Sequence, residues 1–252
     1  MPALPAMTAF DPDRKRPPGW PIMRQHWGKL LFMHWPIDAK LLRPRIPPQL
    51  QIDTYDGSAW IGVIPFTMWG IRASFLPPMP GTSAFHELNV RTYVTCNGVS
   101  GVWFFSLDAA NRLAVWGARR FYSLPYFHAR MSLQQDDASI TYSSTREDSR
   151  GEPARFDARW TIGEPLPQSQ SQPDSLEFFL TERYCLYSAH RGEVYRAQIH
   201  HNPWPLQNAQ LASCDSTMIA AQALPTPNSD PLLHYAEELS VDIWRLKKIE
   251  TV

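Results

Sequence analysis

The segment FHELNVRTYV, residues 85–94, carries side chains of the kinds that bind and protonate small polar ligands. Four large hydrogen-bonding residues recur at every second position: Glu87, Asn89, Arg91 and Tyr93. The positions between them are mostly apolar, and no glycine or proline interrupts the run, which predicts a β-strand with one polar face. A carboxyl group on that face could act as a general acid or base, with an amide, a guanidinium and a phenol beside it.

The partners of this polar row decide what it can do. Glu87 and Arg91 lie about 13 Å apart along a strand, so they cannot pair directly and each needs a partner on another strand. Ser106 and Asp108, in the following segment VWFFSLDAA, are available. Two alternatives remain open from the residues: the row meets solvent, as on many antiparallel sheets, or the sheet closes and the row lines an interior pocket.

A second group of polar residues lies in VWGARRFYSLPYFHARM, residues 115–131. We predict that Arg119 or Arg120 holds an anionic group, because a guanidinium grips a carboxylate with two hydrogen bonds, and that Tyr126 donates beside it. The alternative is that the arginine stems pack on the surface with their charges in water.

Other site chemistries find less support in the sequence. No lysine occurs between residues 41 and 246, which disfavours Schiff-base catalysis. His200 and His201 are adjacent on a predicted strand and would point to opposite faces, and Cys96 falls on the apolar face of its strand. We therefore predict no metal and no cofactor.

Proline and turn signals indicate many short strands. The chain has 24 prolines, and Asp56-Gly57 predicts a hairpin over residues 50–66. CNGVSG predicts a second hairpin after residue 94, and the segment DSLEFFLTERY predicts a helix that Asp174 caps with Glu177. The prediction is a mainly β (α+β) fold, an antiparallel sheet with few short helices.

Length and charge limit the classes of protein. The 252 residues suit a single domain over residues 23–252, preceded by a flexible N-terminal arm over residues 1–22. Lys plus Arg equals Asp plus Glu, at 24 each, which argues against a nucleic-acid surface. Without an apolar export or membrane segment, and with three cysteines, we expect a cytoplasmic protein, and a homo-oligomer remains possible.

Several blocks in order resemble a known family, the YqjF-like family of uncharacterised proteins, over roughly residues 24–210. They are HWPI, LRPRIPPQLQIDTYDGSAWIGVIPF, FHELNVRTYV, GVWFFSLDA, ARRFYSLPY, FLTERYCLY and HHNPWPL. The family is grouped with the acetoacetate decarboxylase superfamily, which implies one domain with a cone or barrel-like sheet around a closed cavity.

The resemblance also implies roles for residues. Acetoacetate decarboxylases carry a cavity carboxylate in a His-Glu strand, and FHELNV is similar, with Glu87 at that place. Their Schiff-base lysine belongs to a Lys-Lys pair, where GARRFYSLPY has Arg119 and Arg120; either arginine could stand at the lysine position. Arginine stays protonated, so decarboxylation through an imine is not implied for this chain.

The functional prediction has three alternatives. The first is a small-molecule enzyme of lyase, hydrolase or isomerase type without imine chemistry, acting on an organic acid or carbonyl compound. Its catalytic residues would be Glu87, Arg119 and Arg120, and its ligand-binding residues Asn89, Arg91, Tyr93, Ser106, Asp108 and Tyr126. The second is a non-catalytic binding or sensing protein with the same pocket, and the third is a structural ion-pair network.

Overall fold

The structure, a computed structural model, describes residues 15–77, 83–136, 139–167 and 172–250. Its strands are β1 (Met23–Ile37), β2 (Gln51–Ile52), β3 (Ala59–Ala73), β4 (Phe85–Cys96), β5 (Val99–Ala109), β6 (Tyr126–Gln135), β7 (Ile140–Arg146), β8 (Arg155–Pro165), β9 (Cys185–His190), β10 (Glu193–His201), β11 (Leu206–Ser216), β12 (Leu232–Ile243) and β13 (Lys247–Lys248). The helices are α1 (Ala39–Leu42), α2 (Arg112–Tyr122) and α3 (Leu176–Thr181), with 3₁₀ turns at Arg43–Arg45 and Ala220–Gln222.

The strand pairings close two rings that share one wall. The first ring runs β4–β5–β9–β10–β12–β1–β3 and back to β4. The second leaves β5 through β6, β7, β8 and β11 and returns to β12. Most pairs are antiparallel, as predicted, but β5 pairs in parallel with both β6 and β9. The mainly β fold with few short helices is confirmed.

The shared wall is buried on both faces, which explains the unbroken apolar run in β1. Leu31 and Met33 belong to the core on one side of the wall, while Leu30 and Phe32 belong to the core on the other. A strand covered on both faces loses the alternation of apolar and polar residues that marks a strand with one wet face.

The predicted turns occur, with one difference in pairing. Asn97 and Gly98 both have positive φ between β4 and β5, which confirms the second hairpin. Asp56 and Gly57 also have positive φ, as a type I′ turn requires. However, β2 pairs with β4 rather than with β3, and only the bridge between Tyr55 and Ser58 links the two arms at this turn.

Two helix assignments differ from the sequence prediction. Ser175, not Asp174, caps α3, since the Ser175 side chain accepts a hydrogen bond from the backbone N–H of Phe178. Residues 112–122 form α2, which was not predicted from the sequence; the side chain of Asn111 caps it by accepting hydrogen bonds from two backbone N–H groups.

The predicted N-terminal arm is only partly described. Residues 1–14 lie outside the described residues, while Arg16 pairs with Asp242 of β12 and Ile22 donates its N–H to Ile243. Among the described residues, no helix combines the length and apolar character needed to cross a membrane.

Candidate functional site

A pocket of about 470 Å³ lies within the first strand ring. Its lining comes from β1, β3, β4, β5, β9, β10 and β12 and is mostly apolar. One side of α2 also contributes, and two of its lining residues, Leu113 and Phe121, are largely exposed to solvent. The helix therefore forms part of the rim where the pocket opens.

Three of the four residues in the polar row of β4 face this pocket. Glu87, Asn89 and Arg91 are all buried and all line it. Tyr93, which we expected among the ligand-binding residues, is fully buried and does not line the pocket. Its hydroxyl donates to the Leu180 carbonyl at 2.7 Å and lies 2.6 Å from Nε2 of His34. Of the two alternatives left open by the sequence, the row has the interior position and not the solvent position.

Burial makes Glu87 a weak acid. Removal from water raises the pKa of Glu87 to about 8, assisted by the nearby Asp108 carboxylate and opposed by hydrogen bonds from Tyr126 and Asn89. The Tyr126 hydroxyl donates to Glu87 Oε2 at 2.6 Å, and burial together with Glu87 holds the pKa of Tyr126 well above its usual range. At neutral pH the site therefore has a protonated carboxyl group next to a protonated phenol.

Arg91 is a buried cation without an anionic partner. Its Nη2 donates to the Leu180 carbonyl at 3.1 Å and toward the Tyr93 hydroxyl at 3.4 Å, and its Nε has no hydrogen-bond partner. The guanidinium stands 5.5 Å from the centre of the Phe32 ring. In the described part of the chain, no carboxylate lies within ion-pair distance of Arg91.

Asn89 offers an open acceptor between these two residues. Its Oδ1 is buried and has no hydrogen-bond partner. The row thus presents, in order, a carboxyl proton donor, a free amide oxygen and a cation, all facing the pocket.

The pocket contains polar residues that the sequence analysis did not select: Gln25, Thr181, Arg183 and His201. Arg183 is neutralised by Asp53 at 2.6 Å, and His201 stacks on Tyr184 with ring centres 4.6 Å apart. Burial lowers the pKa of His201, which favours the neutral form of its ring. Both residues lie in quoted sequence blocks, FLTERYCLY and HHNPWPL, but only the tertiary fold brings them to β4.

Ser106 and Asp108 do not face the pocket. Both belong to β5, where Ser106 pairs with Val90 of β4 and Asp108 pairs with Leu88 of β4. They therefore lie on the opposite face of the sheet from Glu87 and Arg91. Asp108 accepts three hydrogen bonds from Arg146, and Ser106 accepts one from Gln222. This corrects the expectation that they share the polar face, because register across a hairpin fixes the face and the sequence did not fix the register.

Arg119 and Arg120 also lie outside the pocket. Because residues 112–122 are helical, successive side chains turn by about 100°, and the arginines fall on the side of α2 away from Glu87. Arg119 donates to the Tyr126 carbonyl at 2.9 Å, while Arg120 lies over the Phe121 ring at 5.8 Å. Neither arginine therefore lies beside Glu87, which corrects the position expected from the sequence; the arginines that line the pocket are Arg91 and Arg183.

His200 and His201 separate as their strand positions predict, since His201 lines the pocket and His200 does not. Within the described ranges, no group of three or more His, Cys, Asp or Glu side chains could hold a metal ion. Cys96 is a buried free thiol whose pKa is raised by burial.

The architecture defines the class of protein. An acetoacetate decarboxylase-like enzyme from Sphingomonas wittichii RW1 has the same fold, with a TM-score of 0.62 and 10% identity over 91% of this chain and 94% of that chain. A structure of the enduracididine biosynthesis enzyme MppR complexed with pyruvate is also similar, with a TM-score of 0.61 and 11% identity over 100% and 99% of the two chains. The fold is therefore acetoacetate decarboxylase-like.

The sequence then gives the family. Residues 24–240 match the DUF2071 family, described as an uncharacterized conserved protein. The uncharacterized protein YqjF of Bacillus subtilis (strain 168) is 47% identical over 232 residues, which are 92% of this chain and 94% of that protein. The chain belongs to this YqjF-like family, as its sequence blocks predicted.

Proposed function

We propose that the pocket binds a small hydroxy- or keto-carboxylic acid and that Glu87 transfers a proton to or from it. Arg91 holds the carboxylate, and Tyr126 donates a hydrogen bond to a carbonyl oxygen farther along the ligand. The ionised Glu87 carboxylate takes the proton from the carbon beside that carbonyl, which leaves an enolate on the oxygen, and returns the proton to carbon. The reaction class is general acid–base chemistry beside a carbonyl group, as in a lyase or an isomerase, without an imine.

The uncompensated charge of Arg91 carries this proposal. A buried charge without a partner is costly, and the other two buried arginines of the described chain, Arg146 and Arg183, each have a carboxylate at 2.6 Å. Among the described residues, Arg91 contacts only a carbonyl, a hydroxyl and two aromatic rings. A ligand carboxylate would supply the missing charge and could bond the free Nε.

The spacing of the row limits the shape of the ligand. Glu87 and Arg91 are about 13 Å apart along the strand, so several bonds separate the carboxylate from the group that meets Glu87. Asn89 Oδ1, between them, favours a hydroxyl or enol that donates a hydrogen bond. The remaining lining, including Val102, Phe104 and Leu107, suits an apolar carbon chain.

The absence of lysine from the lining supports acid–base chemistry over imine chemistry. The five lysines are Lys15, Lys29, Lys40, Lys247 and Lys248, and the described lining of the pocket includes none of them.

Binding is tested first, by a thermal-shift screen of hydroxy and keto acids on the wild type, Arg91→Met and Arg159→Met. Arg159 is an exposed arginine of β8 outside the pocket and is the matched control. An acid that binds only the folded state raises the melting temperature, and we expect Arg91→Met alone to lose that rise. Equal shifts in all three proteins, or no shift with any acid, would contradict the proposal.

Catalysis is tested separately, by following exchange of the ligand C–H in D₂O with NMR. We expect the wild type to accelerate exchange, with a rate that rises as Glu87 loses its proton near pH 8. Glu87→Gln should bind the acid but lose the acceleration. Binding without any accelerated exchange would favour the second candidate, a binding or sensing protein, which the same Arg91 observation supports.

A further inference from the structure

The outer side of α2 forms one wall of a second concave site, a surface groove of about 600 Å³. The opposite wall comes from His128 and residues 147–150. No residue lines both the groove and the Glu87 pocket, since the two sites use different sides of α2.

The groove has more positive charge than its own carboxylates can balance. Four arginines line it, Arg112, Arg119, Arg120 and Arg150, against Glu147 and Asp148. Asp148 is already paired with Arg150, and hydrogen bonds from Arg150 hold the pKa of Asp148 far below its usual range. Glu147 lies 3.7 Å from Arg130 and 3.8 Å from His128.

The remaining arginines of the groove have no anionic partner among the described residues. Arg112 and Arg120 make no hydrogen bond or ion pair with any described residue, and Arg119 donates only to a backbone carbonyl. Burial and the nearby Arg150 both lower the pKa of Arg119, as expected where cations crowd together. Such a cluster is suited to a multiply charged anion.

An aromatic surface lies between these charges. Trp116 is four residues from both Arg112 and Arg120, so the three share one stripe of the helix. Its side chain lines the groove and is 62% exposed, with only an edge contact to Phe121 at 5.8 Å. An exposed indole can stack a flat ring, and the flanking guanidinium groups can then bind phosphates attached to that ring.

We propose that this groove binds a nucleoside diphosphate or a related phosphate ester with a planar ring. The ring stacks on Trp116, and Arg112, Arg119 and Arg120 bind the phosphate oxygens. This site goes beyond the proposed acid–base function, and it gives Arg119 and Arg120 an anion-binding role away from Glu87.

The test is isothermal titration calorimetry with ADP, inorganic pyrophosphate and adenosine. The proteins are the wild type, Arg112→Ala/Arg120→Ala, Trp116→Ala and the exposed-arginine control Arg159→Ala. We expect saturable binding of ADP. The affinity should fall by about tenfold or more for each arginine removed, because each removal eliminates one charge-assisted hydrogen bond to a phosphate. Trp116→Ala should weaken ADP but leave pyrophosphate unchanged, and Arg159→Ala should behave as the wild type.

Three results would overturn the proposal. One is no saturable heat with either ADP or pyrophosphate in the folded wild type. Another is an unchanged ADP affinity in the double arginine variant or its milder form, Arg112→Gln/Arg120→Gln. The third is loss of ADP binding in Arg91→Met, which would place ADP in the Glu87 pocket. Binding of organic acids by the double arginine variant is a separate measurement that tests the proposed function independently of the groove.

Discussion

The Tyr126 hydroxyl lies 2.6 Å from Glu87 Oε2, although 39 positions separate the two residues in the chain. Glu87 pairs with Ala109 of β5 on one side, and Tyr126 pairs in parallel with Leu107 of the same strand on the other. The two residues therefore flank β5, and their contact depends on the parallel pairing that β6 makes with it.

This contact should lower the pKa of Glu87 and so offset part of the rise that burial causes. The hydrogen bond from Tyr126 stabilises the ionised carboxylate, so Tyr126→Phe should raise the pKa of Glu87 further above about 8. The measurement is the pH dependence of the carboxyl C=O stretch by infrared difference spectroscopy against Glu87→Gln. Tyr122→Phe is the matched control, since the buried Tyr122 hydroxyl has no hydrogen-bond partner; a lowered pKa in Tyr126→Phe would contradict the assignment.

Glu87 should also make stability depend on pH. Between its ordinary value of 4.5 and about 8, the folded state keeps the Glu87 proton that the unfolded state has lost. The free energy of unfolding therefore falls as pH rises through this window, by up to about 1.4 kcal/mol per pH unit from this group.

Glu87→Gln lacks this contribution, so the advantage of wild type over variant should shrink from pH 5 to pH 8. Urea unfolding of both proteins at each pH measures it. The lowered pKa values of His34 and His201 act in the opposite direction but are present in both proteins, so they cancel in the difference. Parallel stability curves would show that Glu87 does not hold its proton in the folded state.

Two buried arginines should lose very different amounts of stability on the same substitution. Arg146→Met leaves the Asp108 carboxylate buried without its partner and should cost about 3–5 kcal/mol. Arg91→Met removes a charge that has no ion-pair partner among the described residues, and the Leu180 carbonyl keeps the hydrogen bond from the Tyr93 hydroxyl. We therefore expect the free energy of unfolding to change by no more than about 1 kcal/mol. Chemical denaturation measures both, and a large loss in Arg91→Met would indicate an anionic partner within the folded chain.

Replacement of two glycines by alanine should change stability in opposite directions. A Cβ at Gly101 would lie 2.6 Å from Cys185 Sγ and 2.8 Å from the Cys185 carbonyl oxygen, where β5 meets β9, so Gly101→Ala should cost about 1–3 kcal/mol. Gly117, inside α2, has nothing within 4 Å of that position, and Gly117→Ala should stabilise by about 0.5–1 kcal/mol. The midpoints of urea unfolding test both predictions. A Gly101→Ala protein as stable as the wild type would show that β5 and β9 can move apart at little cost to accommodate the methyl group.

The sequence alone determined the local features that depend on near neighbours. Alternation along residues 85–94 identified the polar row with Glu87, and Asn97-Gly98 identified the turn after it, because strand period and positive φ are properties of a few consecutive residues. The order of sequence blocks also identified the family.

Only the tertiary structure decided which residues meet at the site. Strand register placed Asp108 and Ser106 behind the wall, helix formation turned Arg119 and Arg120 outward, and ring closure brought Arg183 and His201 to β4. Register and ring closure depend on contacts between residues far apart in the chain, which a single sequence does not show. The sequence thus determined the polar row, while the closed sheet decided that Arg91 faces the pocket with no anionic partner among the described residues.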